Sequence, residues 1–155
     1  MRIIIIILIS ALLSAQNYEK RDLDDAFDQT TLVISSSAHA CYVFDVYVAA
    51  NQTQQRRGLM FVRNLPEFTG MIFIYEQQAR LSMWMKNTYI PLDILFISAT
   101  GDIANIVRDT VPLSLNSIAA VEPVNYVLEL NAGLTEKLGI DNKSQVIFTA
   151  IAPEA

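Results

Sequence analysis

Ile94-Leu95-Phe96-Ile97-Ser98-Ala99-Thr100-Gly101-Asp102-Ile103-Ala104-Asn105-Ile106-Val107 joins two short apolar runs through a polar break that contains glycine. Each run is too short for a helix and rich in residues that suit a pleated surface, and Gly101 supplies the positive φ that a tight return needs. The segment therefore predicts a β-hairpin. Unbroken apolarity from Ile94 to Ile97 further predicts a strand buried on both faces.

Outward from this hairpin the same grammar repeats. Apolar runs rich in Val, Ile, Phe and Tyr predict further strands at Thr31 to Ile34, Cys41 to Ala49, Gly70 to Tyr75, Leu81 to Met85, Tyr126 to Leu130 and Gln145 to Ile151. Such a series is a mainly β, single-domain sandwich or barrel. Two short helices interrupt it. Asn51 with Gln54 three residues on forms a capping box, Arg56 and Arg57 suit the last turn, and Gly58 stops the first helix. The second starts at Asn131, runs through Leu134, Lys137 and Leu138, and ends at Gly139. Val111 to Val124, with Pro112 and Pro123 and no periodicity, reads as a long loop.

The chain of 155 residues opens on Arg2, an apolar run from Ile3 to Leu13, and small residues at Ser14 and Ala15. This is the pattern of a secretory signal peptide over residues 1–15, too short to span a bilayer and able to act as an N-terminal anchor if uncleaved. Export to the periplasm or the extracellular space is the expectation, with no membrane span in the mature form. Residues 16–29, which hold Asp22, Asp24, Asp25 and Asp28, read as an acidic linker and solvated spacer, leaving residues 30–155 as the domain.

Bulk chemistry narrows the function classes. Loss of Arg2 with the leader moves the formal charge from −5 to −6, which disfavours nucleic acid. A single cysteine, Cys41, excludes an internal disulfide and reads as a small buried residue. One His and one Cys do not make a convincing transition-metal site, and no Asp-x-Asp-x-Asp-Gly loop, Gly-x-Gly-x-x-Gly or phosphate-loop pattern is present, so neither a metal nor a cofactor is expected.

The candidate site lies in Trp84-Met85-Lys86-Asn87-Thr88-Tyr89-Ile90-Pro91-Leu92-Asp93, where polar groups sit between two apolar runs. Lys86, Asn87 and Asp93 flank a link that Pro91 holds in one shape, and Lys beside Asp offers an anion anchor or acid–base chemistry. The structural alternative is an ion pair with Asn87 in an Asx-type turn. Trp84, Met83 and Met85 read as core, with Trp84 or Tyr89 as an alternative ligand wall. Glu129, inside the apolar strand Tyr126 to Leu130, requires a partner such as Lys86 or an Arg, or belongs to the site.

Gly58-Leu59-Met60, Gly70-Met71-Ile72-Phe73, Trp84-Met85-Lys86-Asn87-Thr88, Pro91-Leu92-Asp93-Ile94-Leu95-Phe96-Ile97 and Tyr126-Val127-Leu128-Glu129-Leu130-Asn131-Ala132-Gly133, in this order, resemble the family called domain of unknown function 192. The resemblance spans about Cys41 to Ile151 and implies a compact, mainly β domain, often behind a signal peptide, whose polar centre is Lys86, Asn87, Thr88, Pro91 and Asp93 with Glu129 nearby. Here Met83 stands where the family usually has Phe, Val62 where it often has Arg, and Asn142-Lys143-Ser144 in place of a Pro-Gly-Asp turn. The leading expectation is an exported domain binding a small ligand or an envelope protein at Lys86, Asn87 and Asp93. An extracytoplasmic enzyme using Lys86, Asp93 and Glu129 on a small molecule or polysaccharide is the alternative. An accessory subunit with an apolar patch near Val111 to Val124 is the third.

Overall fold

The computed structural model describes residues 22–148, and the leader and residues 149–151 of the last expected strand lie outside them. In chain order the elements are α1 (residues 22–26), β1 (Asp28–Ser35), β2 (Cys41–Ala49), α2 (Gln52–Arg57), β3 (Thr69–Ala79), β4 (Ser82–Met83), β5 (Leu92–Ile97), β6 (Ile103–Val107), β7 (Ile118–Ala119), β8 (Val124–Asn131), α3 (Leu134–Lys137) and β9 (Gln145–Phe148). Seven strands form one sheet in the order β6-β5-β8-β3-β2-β1-β9, and β4 pairs with β7 in a small second sheet. All sheet pairings are antiparallel except β2 with β3, which are parallel and joined by the crossover that carries α2. The large sheet curls until Asp102 forms a β-bridge with Gln145, giving a half-barrel whose two edges touch at one end.

Alternation along each strand divides the apolar residues between two cores. The inner core collects Leu32, Phe44, Ile72, Leu95, Leu128 and Val146, among others, and is closed at one end by Leu134 of α3 and by Leu138, which caps that helix. The outer core contains Tyr47, Met71, Phe73, Ile94, Phe96 and Val127. Its cover comes from Leu23 and Phe27 near α1, from Leu59, Val62 and Leu65 after α2, and from Met85. β5 lies between the two layers and is buried at every position, as its unbroken apolarity predicts.

The 94–107 hairpin forms as expected, with Gly101 at φ 88°. Asn51 accepts the Gln54 N–H at 3.0 Å while the Gln54 side chain accepts the Asn51 N–H at 3.3 Å, completing the capping box, and Gly58 closes α2. Four expectations are corrected. The acidic stretch is not a solvated spacer over its described part: Leu23 and Phe27 are core residues, Asp24 accepts the Tyr47 hydroxyl at 2.9 Å, and Asp22 pairs with Arg57 at 2.5 Å. Two of its acids, Asp22 and Asp24, bond to the domain, while Leu23, Ala26 and Phe27 cover the outer core. Val111 to Val124 contains the strand β7, which packs Ile118 on the outer core. Asn131 ends β8 instead of opening α3, whose first position follows Gly133 in a left-handed conformation. Cys41 is exposed, because β2 begins there, beyond the cover of either core.

Candidate functional site

Lys86, Asn87 and Asp93 do not form one cluster. Asp93 alternates with Leu92 and Ile94 and so points to the inner core, and its side chain has no solvent exposure. One carboxylate oxygen accepts the backbone N–H of Asp109 at 3.0 Å and of Gly133 at 3.1 Å. The other accepts the Thr135 N–H at 3.0 Å and the Thr135 hydroxyl at 2.7 Å. Arg108 Nε donates to that hydroxyl at 2.9 Å, so the cation reaches the carboxylate through Thr135. Gly133 has no side chain with which to cap α3, and Asp93 accepts two of the N–H groups at its start, those of Gly133 and Thr135, from a neighbouring strand. The ion pair of the structural alternative is absent between Lys86 and Asp93, and so is a catalytic pair built from the two.

Asn87 is structural as well. Its backbone holds φ 57°, its carbonyl accepts the Phe61 N–H at 2.8 Å, and its amide nitrogen lies 3.7 Å from Met60 Sδ. Asn adopts the left-handed region more readily than most residues, which accounts for its place in this turn. Thr88 is buried in the same turn, with its N–H donating to the Met85 carbonyl at 3.1 Å.

Lys86 and Trp84 are carried instead to the outer face. Met85 is core, as expected, whereas Trp84 is 49% exposed and carries the Lys86 ammonium 5.0 Å from its ring centroid. The two border a cavity of about 550 Å³ between α2, the β4 turn and the outer surface of the sheet. Phe73 and Tyr75 of β3 and Met83 of β4 form apolar walls, Arg56 of α2 and Lys86 supply cations, and Glu129 of β8 lines the same space.

Glu129 reaches the cavity because β8 alternates: Leu128 and Leu130 enter the inner core, so Glu129 faces outward, between Met71 of β3 and Ile94 of β5. It is 4% exposed, and among the described residues neither Lys86 nor an Arg pairs with it and nothing donates to its carboxyl. Burial pushes its pKa from 4.5 up to about 8, and the Tyr75 phenol is raised by its own burial and then by the neighbouring Glu129. Among the site residues that sequence reasoning missed are Phe73, Tyr75 and Arg56. Arg56 was legible only as a cation suited to the end of α2; its aim into a cavity depends on packing 17 residues away in β3.

Comparisons with known proteins agree with this architecture. The crystal structure of "a putative transcription regulator" from Sinorhizobium meliloti 1021 is 35% identical, with a TM-score of 0.77, covering 79% of this chain and 95% of that one. A protein of unknown function from Novosphingobium aromaticivorans DSM 12444 is 32% identical, with a TM-score of 0.75, covering 77% of this chain and 85% of that one. No curated protein gives a significant match. The sequence profile of DUF192, described as uncharacterized ACR, matches residues 33–148, and the chain belongs to that family.

Proposed function

We propose that this protein is an exported binding domain whose ligand is a small organic anion held in the Glu129 cavity. The observation that carries the reading is Glu129 itself: a carboxyl on a residue only 4% exposed, without a hydrogen-bond donor among the described residues, is turned into the cavity, where an entering molecule can meet it. Below about pH 8 that carboxyl is protonated and neutral, so the charge of the cavity is set by Arg56 and Lys86 at its border, with Arg57 beside them paired to Asp22. An anionic group sits against these cations, an apolar or flat body against Phe73, Tyr75 and Trp84, and a hydrogen-bond acceptor on the Glu129 proton. The volume, about 550 Å³, suits a metabolite-sized molecule. The transcription-regulator description of the Sinorhizobium relative is not carried over, because an excess of acid works against a phosphate backbone.

The test is a thermal-shift screen of carboxylates, phosphates, sugars and amines, followed by calorimetry of the hits. Stabilisation by anions that is lost in both Arg56→Ala and Glu129→Leu supports the reading. Stabilisation by no anion, or by anions indifferent to both changes, refutes it. Export is part of the proposal and rests on residues 1–15; N-terminal sequencing of the mature protein should start at Gln16.

A further inference from the structure

Beside the cavity, three segments of the outer face are tied together by backbone hydrogen bonds. Phe61 N–H donates to the Asn87 carbonyl at 2.8 Å, Leu113 N–H to the Thr88 carbonyl at 3.1 Å, and Met85 N–H to the Ser114 carbonyl at 3.0 Å. The side chains these segments expose are large and apolar: Phe61, Trp84, Tyr89, Val111, Leu113 and Leu115, with Val111 and Leu115 each at 69%. Phe61 packs edge-on against Tyr89, with ring centroids 6.1 Å apart. Phe61 and Leu113 hold φ values of 68° and 62°, a left-handed backbone that bulky L-residues adopt at a steric cost. The surface is therefore kept apolar by the fold of its loops, and a contiguous exposed patch of this kind marks a place of interaction.

Charge decides the occupant. The chain carries 16 acidic residues and a net charge of −5, yet no Asp or Glu falls within residues 60–64, 84–91 or 110–117. The charged side chains there are two cations placed on aromatic rings, Lys86 on Trp84 and Arg63, whose guanidinium lies 4.5 Å from the Tyr89 centroid. Trp and Tyr accompanied by cations, with Leu, Val and Phe alongside, is the composition that enters the boundary between headgroups and acyl chains. A protein partner would more often meet a surface depleted of Lys. We propose that this face docks the domain on an anionic lipid surface, with Phe61, Leu113 and Leu115 entering the boundary region and Lys86 meeting lipid phosphate. The inference shares Lys86 and Trp84 with the cavity, but the apolar side chains that carry it, Phe61, Leu113 and Leu115, lie outside the cavity lining.

Trp84 is the chain's single tryptophan, so its fluorescence reports the docking directly. Vesicles of equal parts phosphatidylglycerol and phosphatidylcholine should shift its emission to the blue, and brominated lipid should quench it. Leu113→Ser/Leu115→Ser, which changes two exposed positions, should weaken binding by on the order of tenfold, and Lys86→Gln by about fivefold. Raised salt should weaken it further. Absence of a shift with anionic vesicles, an equal shift with phosphatidylcholine alone, or binding unchanged in the double variant would each overturn the proposal. A dimer in sedimentation that the double variant dissociates, without vesicle binding, would assign the face to a second copy instead and overturn it too.

Discussion

The hydroxyl of Thr135 donates to Asp93 at 2.7 Å while accepting from Arg108 Nε at 2.9 Å, so one side chain links a carboxylate with no solvent exposure to its counter-charge. Asp93 thereby fastens β5 to the start of α3 and to the backbone N–H of Asp109, which follows β6. Asp93→Ala strands the three backbone N–H groups and should cost at least about 3 kcal/mol, read as a lower urea midpoint with an unchanged slope. Thr135→Val removes the bridging hydroxyl alone and should cost less. If Asp93→Ala is as stable as wild type, the carboxylate is not the brace described.

Glu129 makes stability depend on pH in a direction opposite to an ordinary surface carboxylate. Its pKa is about 8 in the folded protein against 4.5 when unperturbed, so between those values the folded state holds a proton that the unfolded state has released. Its contribution is fully present below about pH 4.5 and is lost as the pH rises through 8. A shift of this size corresponds to roughly 3–5 kcal/mol. Glu129→Gln should accordingly be near neutral in stability at pH 4 and stabilising at pH 8. Urea titrations of both proteins across that range would show it, and parallel curves would contradict the buried, unpaired carboxyl.

Gly70 of β3 lies opposite Leu130 and close against the backbone of β8. A Cβ there would lie 2.6 Å from the Glu129 carbonyl oxygen and 2.7 Å from Leu130 Cδ2. Because the first neighbour is backbone, it cannot move without opening the β3–β8 ladder. Gly70→Ala should cost at least about 2 kcal/mol and reduce amide protection at Ile72 and Leu128, as seen by hydrogen exchange.

Phe27 joins the outer core, meets Tyr47 edge-on at 6.4 Å and lies under the Arg57 guanidinium at 5.2 Å. Phe27→Ala should cost about 3 kcal/mol. A spacer residue would cost nothing, so a denaturation curve identical to wild type would return this stretch to the role of a linker.

Local signals carried most of the fold. The Gly101 hairpin, the Asn51–Gln54 capping box and the bounds of β2 are set by residues within a few positions of each other, and all three form as the sequence predicts. What proximity in sequence could not give was the side of the sheet. Lys86 lies in a turn on the outer face, while the pleat of β5 turns Asp93 inward, so neighbours along the chain are separated by a strand layer. Glu129 was legible as a carboxylate that must be partnered or functional, but its want of a donor depends on what β3, β4 and α2 place around it. Val62 shows the same limit: it is a core residue in the outer layer, a context that a family comparison of single positions does not carry. α1 was masked by its acids, because two apolar residues among four aspartates show no useful periodicity.

The meeting of the two sheet edges governs how the chain can acquire its shape. β1 finds its outer neighbour in β9, with Leu32 opposite Phe148, and the Gly101 carbonyl accepts the Val146 N–H at 2.8 Å. The β1–β9 pairings join residues more than a hundred positions apart, so closure comes late and slowly, after the intervening strands have assembled. Until Val146 arrives, β1 presents a bare flank of unpaired amides, the state most open to proteases, to chaperones and to mispairing with another chain. Removing the last strand should therefore harm yield and solubility more than its four residues would suggest.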